Sequence, residues 1–280
     1  MVKNNKMTLF EAYQKGLKFL KNPETEEINL RIILCEISGI KNMSDFYLRK
    51  DENIGDLQRF FEVLQRFLDG EPLAYIFGKT LFFGDEFIVS KSVLIPRQET
   101  EEVVDYSIKK IKEKFSKNRI RIADVCAGSG CIGCELFKHC DVDEVFFSDI
   151  SEDAIKICAK NGRAFGVRGS YFVSDALDYL NARVDLVIAN PPYILKRPDV
   201  DESVIKYEPH EALFVDDDLK IYQKILRKAV SLNVPLIIFE IGYDLGEKLD
   251  RIFASLAPTY KVEFKNDING KLRICSLEKI

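Results

Sequence analysis

The sequence has no apolar run of membrane-spanning length, so a membrane-embedded protein is not expected. It also lacks excess positive charge: 41 Lys and Arg stand against 45 Asp and Glu, a net charge of −4. That disfavours a protein whose main affinity comes from a broad basic surface, and direct nucleic-acid binding is not expected. Histidine is scarce, with only His139 and His210. His210, beside Glu208-Pro209, could act as a base, but a loop surface residue is the better reading. Internal repeats and low-complexity stretches are absent, and the start, Met1 to Lys6, leads into a helical pattern rather than an apolar signal segment. Cysteine is not scarce. Seven, an odd number, point to reduced thiols in a cytoplasmic protein.

What is present divides by pattern. A chain of 280 residues allows one large domain or two ordinary ones. Residues 1–72 read as a helical domain. Thr8-Leu-Phe-Glu11 has capping-box spacing, Ile28 to Ile40 forms an apolar helix ended by Ser38-Gly39, and Leu57, Phe60, Phe61, Leu64 and Leu68 recur at helical spacing before Gly70. Residues 73–95 change character. Tyr75-Ile-Phe, Leu81-Phe-Phe and Phe87-Ile-Val are short apolar runs separated by Gly78 and Gly84, which predicts a β-hairpin linker. Residues 96–280 form the third part. It opens with a helix from Thr100 to Phe115 and a polar link at Lys117-Asn118-Arg119. Strands then follow at 120–124, 144–149, 170–173, 184–189, 234–240, 260–266 and 272–278, alternating with helices at 131–139, 152–161, 217–231 and 244–256. Such alternation predicts an α/β domain whose mostly parallel sheet is covered on both faces. Ligands on such sheets bind beyond the carboxyl ends of the strands, where strand order reverses.

Those strand ends carry polar groups in series. The first ends Asp124-Val-Cys126-Ala127-Gly128-Ser129-Gly130, where glycines allow close backbone approach and the following helix offers N–H donors. The second ends at Asp149-Ile150, about 25 residues after Asp124, and an acid there can accept both hydroxyls of a ribose. The third ends at Asp175-Ala176, suited to an adenine amino group and ring. Each acid alone could equally be a helix cap. The series favours a nucleoside-type cofactor. The fourth strand, Asp185 to Ala189, ends at Asn190-Pro191-Pro192-Tyr193. Two prolines cannot continue a sheet, and Asn190 is held extended. The turn offers an amide, free carbonyls and a ring, parts that suit a planar –NH2 group.

The loop reads D-x-x-x-G-x-G and lacks the third glycine of a dinucleotide fingerprint. Cys126, Cys131 and Cys134 have C-x4-C-x2-C spacing, with Cys140 nearby. An iron–sulfur reading is possible, but small buried thiols suit a crossover helix, and no metal is expected.

The ordered series resembles the S-adenosylmethionine-dependent methyltransferases, whose Rossmann-like sheet carries one late antiparallel strand. Within them, Leu94-Ile-Pro-Arg-Gln-Glu-Thr-Glu101 resembles the Leu-Ile-Pro-Arg-Pro-Glu-Thr-Glu signature of the HemK/PrmC glutamine methyltransferases. Glu71-Pro-Leu-Ala-Tyr-Ile76, Tyr207-Glu-Pro-His-Glu-Ala-Leu213 and Glu240-Ile-Gly242 are similar to other motifs of that family. The resemblance implies a seven-stranded, mostly parallel methyltransferase sheet, a small helical N-terminal domain and a hairpin linker. It implies methylation, from S-adenosylmethionine, of the glutamine in the Gly-Gly-Gln motif of peptide chain release factors. S-adenosylhomocysteine would be the by-product. A sister group acts on a ribosomal protein, and adenine amines are the acceptors of related enzymes. Cys126 to Gly130, Asp149, Ala176 and Asn190 carry over to the cofactor site, and Asn190 to Tyr193 to the glutamine site. Pro96, Arg97 and Glu99 match the signature closing over the cofactor, while Tyr207 and Glu208 order the loop after the Asn-Pro-Pro-Tyr turn. Three departures stand out: Cys126 for the loop's first glycine, Gln98 for a proline, and Asp216-Asp-Asp-Leu219 for an Asp-Gly-Leu. Lys196-Arg197 reads as a solvated pair.

Overall fold

The computed structural model describes residues 7–116, 118–195, 202–215, 217 and 219–280. Lys196-Arg197, Asp216, Asp218, Lys117 and the first six residues lie outside that set. The chain divides into two compact units, Met1–Phe77 and Gly78–Ile280.

The first unit is helical: α1 (Leu9–Leu17), α2 (Pro23–Ser38), α3 (Met43–Leu48), α4 (Leu57–Leu68) and α5 (Leu73–Phe77). Thr8 and Glu11 form the expected capping box, each side chain accepting the other's backbone N–H. Helix α2 begins five residues before the apolar pattern does. Pro23 stands at its first turn with Glu24 and Glu26, residues that favour a helix start but carry no apolar periodicity. Leu30, Ile33, Leu34, Phe46, Phe60 and Leu64 fill the core of this unit.

The hairpin expected from residue 73 begins later. Tyr75-Ile-Phe lies in α5, whose first turn is started by Pro72: its carbonyl accepts the Tyr75 and Ile76 N–H groups. Gly78, at φ +72°, then turns the chain into β1 (Lys79–Phe82) and β2 (Asp85–Ile88), which pair antiparallel.

The second unit continues with α6 (Gln98–Phe115), β3 (Ile120–Val125), α7 (Cys131–His139), β4 (Val142–Asp149), α8 (Glu152–Ala164), β5 (Gly169–Val173) and β6 (Leu186–Ala189). A short parallel pair, β7 (Ile194–Leu195) and β8 (Phe214–Val215), brackets α9 (Glu202–Tyr207) and α10 (His210–Leu213). Then come α11 (Lys220–Ser231), β9 (Leu236–Glu240), α12 (Gly246–Leu256), β10 (Tyr260–Asn266) and β11 (Leu272–Lys279). The main sheet, among the described residues, has seven strands in the order β10-β11-β9-β6-β3-β4-β5. All run parallel except β11, which is antiparallel to both neighbours.

Alternate residues of each central strand feed opposite cores. Ala123, Val187, Ala189, Ile237 and Phe239 meet Tyr222, Ile225 and Phe253 of α11 and α12. Ile122, Leu186, Ile188, Leu236 and Ile238 meet Val103, Val104, Ile132 and Leu136 of α6 and α7, with Phe82 and Phe87 of the hairpin. Burial on both faces is why these strands read as unbroken apolar runs. Strand order reverses between β3 and β6. The Asp124 loop and Asn190 therefore flank the sheet's switch point.

Candidate active site

The loop after β3 is held in a shape that needs positive φ three times. Cys126, Gly128 and Gly130 have φ of +58°, +53° and +77°. Cysteine thus takes the left-handed conformation that a glycine would take more freely, at a cost of roughly 1–2 kcal/mol. A side chain at Gly128 would meet nothing within 4 Å, so the loop's outer side is open. At Gly130 a Cβ would stand 2.6 Å from Cys158 Sγ.

Asp124 lies beneath the loop that follows it. It is 1% exposed, and its Oδ2 accepts the Gly133 N–H in the first turn of α7 at 2.9 Å. Its Oδ1 is buried without a hydrogen-bond partner. Burial pushes the Asp124 carboxyl up to about 8, against the lowering effect of the Gly133 N–H. Asp149, ending β4, accepts the Gly128 N–H through Oδ2 and the Ser151 N–H through Oδ1, both at 2.9 Å. Its carboxyl is also raised, first by burial. The ligand and capping readings of these acids are not rivals, since one carboxylate can brace the loop and retain lone pairs for a ligand. Ile150 beside Asp149 is 63% exposed and Val173 is 56% exposed, leaving two large apolar side chains uncovered at adjacent strand ends. Asp175 is paired with Lys224 Nζ at 2.7 Å, and Ala176 sits at φ +55° with its carbonyl accepting from the Ser148 hydroxyl.

Asn190 meets a network that the sequence reading missed. Its Nδ2 donates to Thr100 Oγ1 at 3.4 Å, and the Thr100 hydroxyl donates to Glu240 Oε2 at 2.8 Å. Tyr193 donates its hydroxyl to Glu240 Oε1 at 3.4 Å and accepts from Arg273 Nη1 at 3.2 Å. Arg273 is anchored by Asp267. Burial raises the Glu240 carboxyl to about 7, with Thr100 and Arg273 opposing. Gly242 leaves room for the Tyr193 ring: a Cβ there would lie 3.2 Å from Tyr193 Cδ2. A carboxylate ending the wholly apolar strand β9 was a usable signal, since such a group is not buried without partners.

The signature segment splits three ways. Arg97 pairs with Glu208, whose other oxygen accepts the Ile95 N–H at 3.3 Å, so Glu208 orders its loop against Pro96 and its neighbours. Thr100 turns to Asn190 and Glu240. Glu99 lines a cleft of about 610 Å³ with Glu101, Glu102 and Asp267. A second unforeseen residue is Asn161 of α8, which donates to the Ser129 and Ile88 carbonyls at 2.8 and 2.9 Å and so ties the loop to the hairpin. His210 is exposed and contacts the Ile205 carbonyl at 2.8 Å.

The cysteines are free thiols. Cys131, Cys134 and Cys158 are buried among core residues, and burial raises Cys131 to about 12, a protonated, unreactive state. Among the described residues no group of three or more His, Cys, Asp or Glu is placed to hold a metal ion.

This site fits S-adenosylmethionine. The partnerless Asp124 oxygen at the loop's base suits a cationic amino-acid end, Asp149 suits ribose hydroxyls, and the bare Ile150 and Val173 suit an apolar ring. Two family models match: "Methyltransferase small domain" over residues 100–208 and "PrmC N-terminal domain" over residues 11–78. In fold, the chain resembles the hMettl16 catalytic domain (TM-score 0.55, 13% identity, 74% of this chain and 77% of that one). It also resembles the T. thermophilus 16S rRNA N2 G1207 methyltransferase in complex with AdoMet and guanosine (TM-score 0.51, 14% identity, 72% of this chain and 50% of that one). Sheet topology and the methyltransferase family model define a Rossmann-like methyltransferase that uses S-adenosylmethionine.

The relatives narrow the class. The release factor glutamine methyltransferase of Bacillus subtilis (strain 168) is 33% identical over 96% of this chain and 98% of its own length. That of Lactococcus lactis subsp. lactis (strain IL1403) is 36% identical over 80% and 83%. The chain belongs to the release factor glutamine methyltransferase family.

The raised carboxyls make their contribution to stability fall as pH rises. Asp124 binds its proton more tightly folded than unfolded, from 3.8 to about 8. Its contribution is full below about pH 4 and is lost as pH rises through 8. Asp124→Asn, which keeps an acceptor for Gly133, should therefore gain stability relative to wild type as pH rises from 5 to 8. Denaturant unfolding of both proteins without cofactor measures this; a pH-independent difference would contradict the assignment.

Proposed function

We propose that this protein transfers a methyl group from S-adenosylmethionine to the side-chain amide nitrogen of the Gly-Gly-Gln glutamine in a peptide chain release factor. The observation that carries the reading is the setting of Asn190. At the end of β6, beside the cofactor loop, its NH2 turns to Thr100, and no described residue donates to its Oδ1. With no partner among the described residues, that oxygen and the Pro191 carbonyl can accept the two hydrogens of an incoming –CONH2 group. Neither Pro191 nor Pro192 has an N–H, so no backbone donor competes there.

When bound, S-adenosylmethionine supplies an electrophilic methyl group on a cationic sulfur. An amide nitrogen is a poor nucleophile because its lone pair is delocalised into the carbonyl. Fixing both of its hydrogens orients that lone pair and stabilises positive charge growing on the nitrogen, which then releases one of the two protons to solvent as the neutral N-methyl amide forms. Tyr193, held through its hydroxyl by Glu240 and Arg273, packs on the glutamine stem or amide face. The Asp149 carboxylate, Ile150, Asp175 and Ala176 hold the nucleoside, while the backbone from Cys126 to Gly130 lies along the amino-acid end.

The relatives' common name supports a release factor as acceptor. An adenine amine would present the same two hydrogens, but the net charge of −4 gives little help in holding nucleic acid. The free thiols support a cytoplasmic setting. The test is transfer of labelled methyl to purified release factor, ribosomal protein, DNA and RNA in parallel. Label on release factor supports the proposal; label only on another acceptor overturns it.

A further inference from the structure

We propose that Thr100 and Glu240 are positioning residues that fix which way the Asn190 amide faces, so that its oxygen, and not its NH2, meets the substrate. This rests on the acceptor reading of Asn190 given above. Thr100 is 3% exposed and Glu240 2% exposed, so neither can substitute water for its partner. A threonine hydroxyl has one hydrogen. Here it is committed to Glu240 Oε2 at 2.8 Å, which leaves only lone pairs toward Asn190. Asn190 can satisfy them only with its NH2, and Nδ2 is the atom found there, at 3.4 Å. The Oδ1 then points the other way. A reversed amide would set an NH2 against the substrate's own NH2, donor against donor.

The arrangement depends on Glu240 being ionised. A protonated Glu240 could donate to Thr100, freeing the Thr100 hydrogen to donate to Asn190 Oδ1 while a lone pair could still accept from Nδ2, so either amide orientation would fit. The groups facing Glu240 come from several elements. Arg273 of β11, backed by Asp267, favours the charge, and Glu99 of α6 opposes it. Tyr193 and Thr100 donate to its two oxygens, and the Tyr222 hydroxyl of α11 donates to its backbone carbonyl. Burial holds its carboxyl near 7, within the range where an enzyme is assayed. Turnover should therefore fall on the acid side as Glu240 takes up its proton.

Two readouts on full-length protein test this. In turnover with release factor, Thr100→Val should lower kcat by about a hundredfold, a loss typical of a misplaced reacting group, with KM little changed, and Thr100→Ser should restore most of it. Wild type should show an acid limb in kcat near pH 7 that is absent in Glu240→Gln. Independently of any substrate, the Asn190 side-chain NH2 resonances in the S-adenosylhomocysteine complex should shift with pH in wild type and stay fixed in Glu240→Gln. Unchanged kcat in Thr100→Val, an acid limb persisting in Glu240→Gln, or an Asn190 signal that ignores pH in wild type would each overturn the relay. A titrating Asn190 signal in a protein that methylates no release factor would support the relay and overturn the acceptor reading instead.

Discussion

Asn190→Ala should fold, still bind S-adenosylhomocysteine, and at saturating cofactor lose methyl transfer by about a hundred- to a thousandfold. The magnitude is that of removing one group aimed at charge developing in a transition state. The structure separates this loss from a folding defect. Asn190 is only partly buried, and its side chain contributes one long hydrogen bond, to Thr100 at 3.4 Å, worth about 1 kcal/mol or less. The turn itself is kept by Pro191 and Pro192, which the substitution leaves alone. Calorimetry with S-adenosylhomocysteine and a thermal melt, run beside the transfer assay, distinguish the two outcomes. Near-normal transfer by Asn190→Ala would exclude its oxygen from the reaction.

Gly133→Ala should instead damage both the fold and the cofactor site. A Cβ at Gly133 would stand 2.4 Å from Phe147 Cε1 and 2.9 Å from Asp124 Oδ2. Phe147 cannot yield: it is fully buried and stacked on Tyr171 with centroids 5.2 Å apart. Alanine's better helix propensity offers about 1 kcal/mol, and overpacking costs about 1–3 kcal/mol, occasionally more. The same Cβ pushes Asp124 Oδ2 off the Gly133 N–H, which adds to the cost, because a buried polar group left without its partner costs about 1–3 kcal/mol. The net expectation is a destabilisation of about 2–4 kcal/mol, with S-adenosylhomocysteine affinity reduced because Asp124 and the first turn of α7 move together. Gly128→Ala gives the contrast. Its Cβ meets nothing within 4 Å, so the cost to folding is confined to backbone strain at φ +53°, roughly 1–2 kcal/mol. A Gly133→Ala protein as stable as wild type, with unchanged affinity, would contradict the packing argument.

What could be read in advance follows from how local each signal is. The strands of the main sheet were legible because β6 and β9 are buried on both faces and so write their position as continuous apolar runs. The strand-end acids were legible for the same reason, as the first polar residues after such runs. Their aim was not. Asp124 looks in sequence like Asp149, yet one lies beneath the loop with one oxygen unpaired and the other braces it from beside. The network behind Asn190 was out of reach because its members lie far apart: Thr100 is 140 residues from Glu240 and 90 from Asn190. Only the sheet order, with β6 between β3 and β9, brings the ends of β6 and β9 side by side. The hairpin start was misjudged because Tyr75-Ile-Phe is apolar in any conformation, and Pro72 decides it in favour of a helix.

We propose that the Asn-Pro-Pro-Tyr turn delivers a methyl group to a glutamine side chain. The most direct test is peptide mapping by mass spectrometry of a release factor incubated with this protein and S-adenosylmethionine. A single added methyl group is expected, on the side-chain nitrogen of the Gly-Gly-Gln glutamine, and absent when Asn190→Ala replaces the wild type. A methyl group found on any other residue, or an unmodified glutamine after complete incubation, would contradict the claim.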